Sequence, residues 1–262
     1  MIIRGKNINF TSKYDSMEGR RDIFQRTERL LGSTCMERLK DIRVIVFGVG
    51  GVGSWCVESL VRSGVGHITI VDCDKVSETN INRQLMATTS TVGQSKVEVL
   101  RKRMLDINPE LDICAKEALY TEESSDLFHL NGYDYVIDAI DSLKDKASLI
   151  LKATETDAVL FSSMGAALKI DPSRIHVTEF WKVNGCPLGA ALRRKFKRTK
   201  RFPKKKFLCV YSDELLDNQA VVVDEEVSSF YQKAQVNGTI AHITAIFGFT
   251  LAGLVIQDLC RS

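Results

Sequence analysis

The sequence contains no Cys-x-x-Cys pair, although seven cysteines are spread along its 262 residues. Because their number is odd and their spacing irregular, we expect neither a disulfide framework nor a four-cysteine zinc site, and most thiols should be reduced and buried. The N-terminal stretch MIIRGKNINFTSKYDS lacks a long apolar core and a small-residue cleavage site. We therefore expect no secretion signal and a cytoplasmic protein.

Acidic residues are missing from Phe180 to Ser212. Within this stretch, residues 193–206 hold ten Lys or Arg, so the formal net charge of +3 divides into +10 for this segment and −7 for the rest. Phe196 and Phe202 lie among the cations, and Pro203 argues against an uninterrupted helix. We interpret 193–206 as a basic loop that contacts RNA phosphates and unpaired bases. A solvated loop without a ligand is the alternative.

A glycine-rich turn follows the first strongly hydrophobic run. The pattern RVIVF at 43–47 predicts a buried strand, and GVGGVGS at 48–54 follows it directly before a helical pattern. Gly48 permits the tight turn, Gly50 lets a phosphate approach the backbone, and Gly53 lets the helix pack closely. The helix N-terminus favours an anion there. The pattern predicts a nucleotide site, with an ordinary strand-to-helix turn as the alternative.

Predicted strands and helices alternate as far as residue 165, which is typical of a Rossmann-like, doubly wound, mostly parallel α/β sheet. Beyond it, Arg174 to Lys182 and Phe207 to Tyr211 resemble strands of an antiparallel C-terminal extension. We therefore predict one domain over residues 1–262, with a nucleotide-binding core at 20–165 and a substrate-side extension at 166–262. Residues 1–19 are expected to form an extended arm.

The segment from Thr239 to Leu259 predicts a long apolar helix whose length reaches the membrane-spanning range. His242, Gln257 and three threonines argue against that location. We expect a buried helix that closes the sheet or forms a subunit contact. Membrane insertion is the alternative.

Charged residues follow the predicted strands at the edge where a parallel sheet binds its ligand. Asp72 ends the second strand, where a dinucleotide fold places the carboxylate that accepts hydrogen bonds from the ribose hydroxyls. Arg83 and Lys96 supply two cations, and Lys96 opens a helix, where a cation is unfavourable unless a phosphate lies nearby. Asp141 is a carboxylate among phosphates, which suits Mg²⁺. This set predicts ATP chemistry rather than hydride transfer.

Two of the carboxylates at this edge have structural alternatives. Asp141 precedes a predicted helix and could be its N-cap. Asp138 could be a packing or capping residue. The alternatives predict no direct ligand contact for these side chains.

The motifs together resemble those of the ATP-dependent adenylating enzymes that activate ubiquitin-like and sulfur-carrier proteins. The likeness rests on GVGGVGS, VDCDKV, Asn80-x-x-Arg83-Gln84, VGQSK, INPE and VIDAIDS. Within that superfamily the chain is similar to the bacterial tRNA threonylcarbamoyladenosine dehydratases through RTERLLG, VIDAIDS, IDPSRIHVT and ITAIFGF. These features span nearly the whole chain and imply a single adenylating-enzyme-like domain.

The resemblance implies a homodimer that uses ATP and Mg²⁺ to adenylate a carboxylate. Arg83, Lys96 and Asp141 would be catalytic, Asp141 would hold the Mg²⁺, and Arg26 would reach the ATP of the partner subunit. The implied nucleotide-binding residues are Gly48, Gly50, Gly51, Gly53, Ser54, Asp72, Asp74, Asn80, Arg83, Gln84, Lys96 and Asp141, with Arg26 from the partner.

The implied reaction dehydrates and cyclises threonylcarbamoyladenosine in tRNA through an acyl-adenylate, releasing AMP and pyrophosphate without an enzyme thiol. The alternative is adenylation of the C-terminus of a ubiquitin-like or sulfur-carrier protein, with Cys186 as the acceptor. A third possibility is a non-catalytic dinucleotide sensor or RNA-binding module. The sequence leaves open a covalent role for Cys209, a monovalent cation, and a sulfurtransferase or sulfur-acceptor partner.

Overall fold

A computed structural model describes residues 23–219 and 237–261, so the predicted N-terminal arm lies outside the described residues. The strands are β1 (Arg43–Phe47), β2 (His67–Val71), β3 (Asp112–Lys116), β4 (Tyr135–Asp138), β5 (Val159–Ser163), β6 (Ile175–Glu179) and β7 (Leu208–Ser212). The α-helices are α1 (Gln25–Leu31), α2 (Ser33–Asp41), α3 (Gly53–Ser63), α4 (Lys96–Ile107), α5 (Leu143–Ala153), α6 (Pro187–Thr199) and α7 (Ala241–Arg261).

The strands form one seven-stranded sheet in the order β3-β2-β1-β4-β5-β7-β6. Neighbouring strands are parallel except β6, which is antiparallel to β7. Phe47 pairs in register with Val71 of β2 and with Asp138 of β4, so the carboxyl ends of these strands meet. The topology confirms the predicted Rossmann-like sheet. It also places a ligand crevice where the strand order reverses, between β1 and β4.

The sheet separates two hydrophobic cores because successive side chains of a strand point to opposite faces. Val44 and Val46 of β1 pack with residues of α3, α4 and α7, whereas Ile45 and Phe47 pack with residues of α5 and α6. All four side chains are fully buried. Burial on both faces explains why β1 is a continuous hydrophobic run rather than an alternating one.

The basic segment predicted as a loop is helical in its first half, which corrects that prediction. Helix α6 runs to Thr199, and only the part after it, which contains Pro203, is irregular. The helix forms because Leu192 and Phe196 belong to a buried face at helical spacing. Phe196 is 1% exposed, so its ring packs in the core and is not available to an RNA base.

Helix α7 has the length and apolar composition of a membrane-spanning helix, but nine of its 21 residues are buried within the described fold. A Cβ on Gly248 would lie 2.4 Å from the carbonyl oxygen of Val52 and 2.8 Å from the nitrogen of Cys56, so α7 and α3 approach backbone to backbone. The rings of Trp55 and Phe249 meet edge to face, with centroids 5.7 Å apart. This packing agrees with the predicted buried helix.

One disulfide was not expected from the sequence. Cys35 of α2 and Cys260 of α7 are 225 residues apart, and the fold brings their Cα atoms to 5.8 Å. The other five cysteines are free thiols, as predicted, and the exposed ones among them are Cys73 and Cys114. The disulfide therefore joins the N-terminal and C-terminal helical segments on one face of the sheet.

Candidate active site

A cavity of about 630 Å³ opens at the carboxyl edge of the sheet. The turn after β1, the segment between β2 and α4, the loops after β3, β4 and β5, and the start of α7 form its wall. The predicted site residues that line it are Gly48, Gly50, Gly51, Asp72, Asp74, Arg83, Gln84, Lys96 and Asp141. The fold thus gathers residues that are distant in sequence at the place expected for the ligand of an open α/β sheet.

Close backbone contacts shape the glycine-rich turn after β1. Gly48 has a φ of +81°, a conformation that L side chains rarely adopt. A Cβ on Gly53 would lie 1.9 Å from the carbonyl oxygen of Gly48, so only glycine lets α3 begin this close to the strand. A Cβ on Gly50 would meet Gln84 Nε2 at 3.6 Å, an ordinary contact distance. The turn therefore leaves a cradle at Gly50 that an anionic group can enter.

Ser54 and Gly53 support this turn but do not line the cavity. Ser54 is fully buried, and its Oγ donates to the carbonyl oxygen of Gly50 at 2.6 Å and accepts from the backbone nitrogen of Leu85 at 3.3 Å. It therefore ties the turn to the segment that carries Arg83. The predicted nucleotide contact of Ser54 stays a prediction.

Asp72 stands at the carboxyl end of β2 and lines the cavity. Its Oδ2 accepts from the backbone nitrogen of Val49 and its Oδ1 from that of Asp74, both at 2.9 Å. The carboxylate is thereby held beside the glycine turn. Each oxygen retains acceptor capacity for a ribose hydroxyl.

Lys96 is 5% exposed, and its Nζ forms an ion pair with Asp74 Oδ2 at 2.8 Å. This pair offsets the unfavourable position of a cation at the first turn of α4, so the placement of Lys96 does not by itself require a phosphate. Both side chains nevertheless line the cavity. The ammonium group, with three donors, therefore stays available to an anionic ligand.

Arg83 and Gln84 reach the cavity from the segment between β2 and α4. Arg83 Nη1 donates to the carbonyl oxygen of Thr79 at 2.8 Å and to Asn82 Oδ1 at 2.9 Å, which orients the guanidinium group. Gln84 is buried, and its Oε1 has no hydrogen-bond partner within the described residues. A buried acceptor beside a cavity is typical of a site where the ligand supplies the donor.

Asp141 follows β4 and is exposed at the cavity. The alternative that it caps α5 is wrong, because Ser142 is the N-cap and its Oγ accepts from the backbone nitrogen of Asp145. Over residues 23–219 and 237–261, the Asp141 carboxylate has no hydrogen-bonding or ion-pairing partner. Free carboxylate oxygens are the ligands that Mg²⁺ prefers, so Asp141 fits a magnesium ion bound with nucleotide phosphates.

Two further predicted contact residues, Asn80 and Arg26, do not line the cavity. Asn80 is buried, and its Oδ1 accepts from the backbone nitrogen of Ser77 at 3.2 Å in a capping box. This capping box shapes the segment that carries Arg83, and the predicted phosphate contact of Asn80 stays a prediction. Arg26 is exposed on α1, a helix without buried residues, and its predicted ligand belongs to a second subunit.

Part of the cavity wall is apolar, and the sequence motifs did not reveal it. It includes Phe47, Val71, Ala118, Leu119 and Tyr120. The rings of Phe47 and Tyr120 meet edge to face with centroids 5.0 Å apart, and burial raises the pKa of Tyr120 to about 12. A flat, uncharged base fits such a surface. The apolar ends of β1 and β2 were the available signal, but the residues after β3 carry no motif.

The segment before α7 and the first turn of this helix also contribute to the wall, through Asn237 and Thr239 before the helix and Thr244 within it. Asn82 Nδ2 donates to the carbonyl oxygen of Thr239 at 3.0 Å. The C-terminal helix is therefore joined to the segment that carries Arg83 and Gln84. Its role in the site could not be read from its apolar pattern.

Cys186 and Cys209 are buried free thiols outside the cavity wall. Cys186 is 3% exposed and immediately precedes α6. Burial raises the pKa of Cys209 well above its ordinary value. An acceptor cysteine must be accessible as a thiolate, so this arrangement does not favour a covalent role for either residue.

The fold and the cavity define a member of a known family of nucleotide-binding proteins. Residues 24–262 match the ThiF family, and the chain belongs to it. It is 39% identical over 246 residues to the tRNA threonylcarbamoyladenosine dehydratase of Bacillus subtilis, which covers 91% of this chain and 94% of that protein. The protein of the same name from Haemophilus influenzae is 35% identical over 262 residues, covering 97% and 98%.

Solved structures give the same relationship. The crystal structure of Escherichia coli tRNA N6-threonylcarbamoyladenosine dehydratase, TcdA, in complex with ATP is similar with a TM-score of 0.81 and 34% identity, covering 92% of this chain and 95% of that one.

The sequence similarity to another group of the family is shorter. The molybdopterin-synthase adenylyltransferase of Salmonella typhimurium is 34% identical over 135 residues, which is 52% of this chain. The similarity to TcdA and the dehydratases thus includes the C-terminal part of the fold.

Proposed function

We propose that this chain catalyses the ATP-dependent dehydration and cyclisation of threonylcarbamoyladenosine in tRNA. The observation that carries the proposal is the cavity, which unites an open glycine cradle, the Asp72 carboxylate, the cations of Arg83 and Lys96, and the Asp141 carboxylate, which has no partner among the described residues. Similarity along 97% of the chain to a dehydratase, against 52% to a molybdopterin-synthase adenylyltransferase, supports this reaction over carrier-protein activation.

Each part of the cavity has a role in this proposal. The glycine turn and the N-terminus of α3 hold the phosphates, Asp72 accepts the ribose hydroxyls, and the apolar wall packs on adenine. Arg83 and Lys96 stabilise the charge that develops on departing pyrophosphate. Asp141 holds Mg²⁺, which when bound neutralises phosphate charge.

The chemistry then proceeds in two steps on the substrates. A carboxylate oxygen of the threonylcarbamoyl group attacks the α-phosphorus of ATP, the bond to pyrophosphate breaks, and an acyl-adenylate forms. An atom of the same side chain attacks the activated carbonyl carbon and loses its proton, and AMP leaves with one former carboxylate oxygen. The nucleoside thereby loses the elements of one water.

The test incubates pure protein, ATP and Mg²⁺ with tRNA whose threonylcarbamoyl carboxylate carries heavy oxygen. We expect the modified nucleoside to lose one water and the label to enter AMP, as mass spectrometry would detect. If the nucleoside mass is unchanged while a small carrier protein drives ATP–pyrophosphate exchange, the carrier-activating alternative holds instead. If the protein binds NAD(H) much more tightly than ATP, it is a dinucleotide sensor.

The exposed side of α6 is our proposed contact for the tRNA backbone. The helix begins near the cavity, because Leu188 lines it, and its 13 residues extend about 20 Å. Arg194 and Arg198 are exposed one turn apart on it. Near its other end, Trp181 and Phe202 are 40% and 47% exposed with ring centroids 6.2 Å apart. Cations with exposed aromatic rings suit phosphates and unpaired bases.

The contact is tested with the double variant Arg194→Gln/Arg198→Gln and a matched control, Lys40→Gln/Lys102→Gln, which removes two exposed cations from α2 and α4. We expect the α6 variant to weaken tRNA binding and to reduce the slope of log affinity against log salt by roughly 1.5–2. Equal slopes for both variants would mean that α6 is only a solvated surface.

A homodimer belongs to the same proposal. Helix α1 has no buried residue, and Leu30 on it is 82% exposed, which supports coverage by a second copy. Arg26 would then reach the partner's nucleotide.

A complementation experiment tests the shared site. Mixing inactive Arg26→Ala and Asp141→Asn proteins should restore activity in mixed dimers, since one intact composite site forms. If mixed dimers form but activity does not recover, Arg26 does not act in the partner's site. The cytoplasmic location, the monovalent cation and the sulfurtransferase partner stay predictions.

A further inference from the structure

An ion pair lies next to the loop that carries Asp141. Asp138 and Lys146 are both fully buried, with 2.8 Å between Oδ2 and Nζ. The interpretation of Asp138 as a packing or capping residue missed this partner. Neither residue lines the cavity, so the proposed reaction gives neither of them a direct ligand contact.

The contacts of the pair show what it holds. Removing two charges from water costs free energy that their attraction often does not recover, so a buried pair is weak support for stability alone. Here the backbone nitrogen of Ile140 donates to Asp138 Oδ1 at 3.1 Å, and Lys146 Nζ donates to the carbonyl oxygen of Ile140 at 2.8 Å. The peptide groups on both sides of Ile140 are therefore held, including the one that joins it to Asp141.

The pair is anchored to the sheet and to a helix. Asp138 ends β4, and its Oδ2 also accepts from Ser162 Oγ of β5 at 2.7 Å. Lys146 lies in α5, whose first turn Ser142 caps. Asp141 thus stands between two fixed points, while its own carboxylate is exposed to the cavity.

We propose that Asp138 and Lys146 are positioning residues that hold the Asp141 carboxylate in the orientation that binds Mg²⁺. The inference rests on the proposed function, because it takes Asp141 as the magnesium ligand. Loss of the Lys146 ammonium releases the Ile140 carbonyl and lets the carboxylate move. Residues that orient a metal ligand commonly change metal affinity by about 10–100-fold when they are replaced.

The experiment measures ATP binding by the full-length protein as a function of Mg²⁺, together with the melting temperature. Lys146→Met should raise the Mg²⁺ concentration that gives half of the maximal Mg²⁺-dependent change in ATP binding, by about 10-fold or more. ATP affinity in EDTA should stay nearly unchanged, because the glycine cradle and Asp72 lie on other segments. The matched control is Glu58→Gln, which breaks another ion-pair cluster, in which a buried carboxylate of α3 pairs with partly exposed arginines of α3 and α4. It should lower the melting temperature without shifting the Mg²⁺ dependence.

A double-mutant cycle separates positioning from general destabilisation. If Lys146 acts through Asp141, adding Lys146→Met to Asp141→Asn shifts the Mg²⁺ dependence no further. Additive shifts, or a Lys146→Met protein with wild-type Mg²⁺ dependence, overturn the inference. If that protein does not fold, Asp138→Asn/Lys146→Met removes both charges and enters the same cycle. If wild-type protein binds ATP with Mg²⁺ but leaves the modified nucleoside unchanged, the proposed function fails while this cycle still decides the inference.

Discussion

At the scale of single residues, Lys96 has an ionic partner within the fold in addition to its predicted phosphate ligand. Its ammonium forms an ion pair with Asp74 at the first turn of α4, and both residues face the cavity. The pair alone accounts for a cation at a helix N-terminus. A phosphate-binding role therefore has to be separated from the local one by experiment.

Lys96→Met and Asp74→Asn make that separation, since each removes the ion pair but only the first removes the cation. We expect Lys96→Met to lower the adenylation rate about 10²-fold or more, because a donor to the departing pyrophosphate is lost. Asp74→Asn should have a much smaller effect. The measurement is ATP–pyrophosphate exchange at saturating tRNA, and equal losses for the two variants would restrict Lys96 to its structural pair.

Glu58 of α3 is a buried carboxylate remote from the proposed chemistry. Burial by itself would raise its pKa, but hydrogen bonds and charges from Arg103 and Arg62 outweigh this, so the pKa of Glu58 lies below its ordinary value of 4.5. The Nε atoms of Arg103 and Arg62 lie 2.7 and 2.8 Å from its carboxylate oxygens. Glu58 thus couples α3 to α4 as long as it is ionised.

This lowered pKa predicts how stability depends on pH. Because the folded-state pKa lies below the unfolded value, the contribution is complete above about pH 4.5 and is lost as the pH falls through the folded-state pKa. Glu58→Gln should lower the free energy of unfolding at neutral pH by about 1–2 kcal/mol, a value reduced by the partial exposure of both arginines. Urea titrations over a pH series should show that the free energy of unfolding falls less steeply with decreasing pH in the variant than in the wild-type protein. An equally steep fall in both proteins would contradict this assignment.

At the scale of elements, two glycines of α7 have opposite surroundings. A Cβ on Gly248 would overlap the backbone of α3, whereas a Cβ on Gly253 would meet no atom within 4 Å. Glycine weakens a helix relative to alanine. At Gly248 glycine is nevertheless required, because the two helices touch there and leave no room for a Cβ atom. No such contact protects Gly253.

The substitution of alanine at each position tests this contrast within one helix. Gly253→Ala should raise the free energy of unfolding by about 0.5–1 kcal/mol through helix propensity. Gly248→Ala should lower it by about 1–3 kcal/mol, because α7 must move away from α3. Denaturant unfolding of both variants gives the measurement. If both stabilise the protein, the close approach of α7 to α3 is wrong.

At the scale of the whole molecule, the disulfide between Cys35 and Cys260 joins segments near opposite ends of the described chain. A cross-link across so long a segment restricts the unfolded chain strongly. Helix α7 also supplies part of the cavity wall, so the bond secures an element of the site. Reduction should therefore act on global stability before it acts on ATP binding.

We expect reduction, or Cys35→Ser, to lower the free energy of unfolding by about 2–5 kcal/mol. Cys73→Ser, which changes an exposed free thiol, should change it by no more than about 0.5 kcal/mol. Denaturant titrations with and without reductant give the comparison. If reductant does not change the free energy of unfolding of the wild-type protein, the disulfide does not contribute to its stability.

Features that depend on neighbouring residues were predictable. The buried strand RVIVF, the turn that needs Gly48 and Gly53, and the carboxylate of Asp72 at a strand end follow from side-chain periodicity and backbone sterics, which act within a few residues. The α/β alternation then implied a parallel sheet whose carboxyl edge collects polar residues. The sequence by itself therefore determined the fold class and most of the polar wall of the cavity.

Features that depend on partners distant in the chain were decided by the tertiary structure. The disulfide, the hydrogen bond from Ser162 Oγ to Asp138, and the hydrogen bond from the backbone nitrogen of Leu85 to Ser54 Oγ all depend on which atoms the fold brings together. Helix α6 was not predicted, because the residues of its buried face, Leu192 and Phe196, are surrounded in the sequence by cations that suggested a loop. Local patterns specify conformation, whereas contacts across the fold depend on packing, which only the three-dimensional structure supplies.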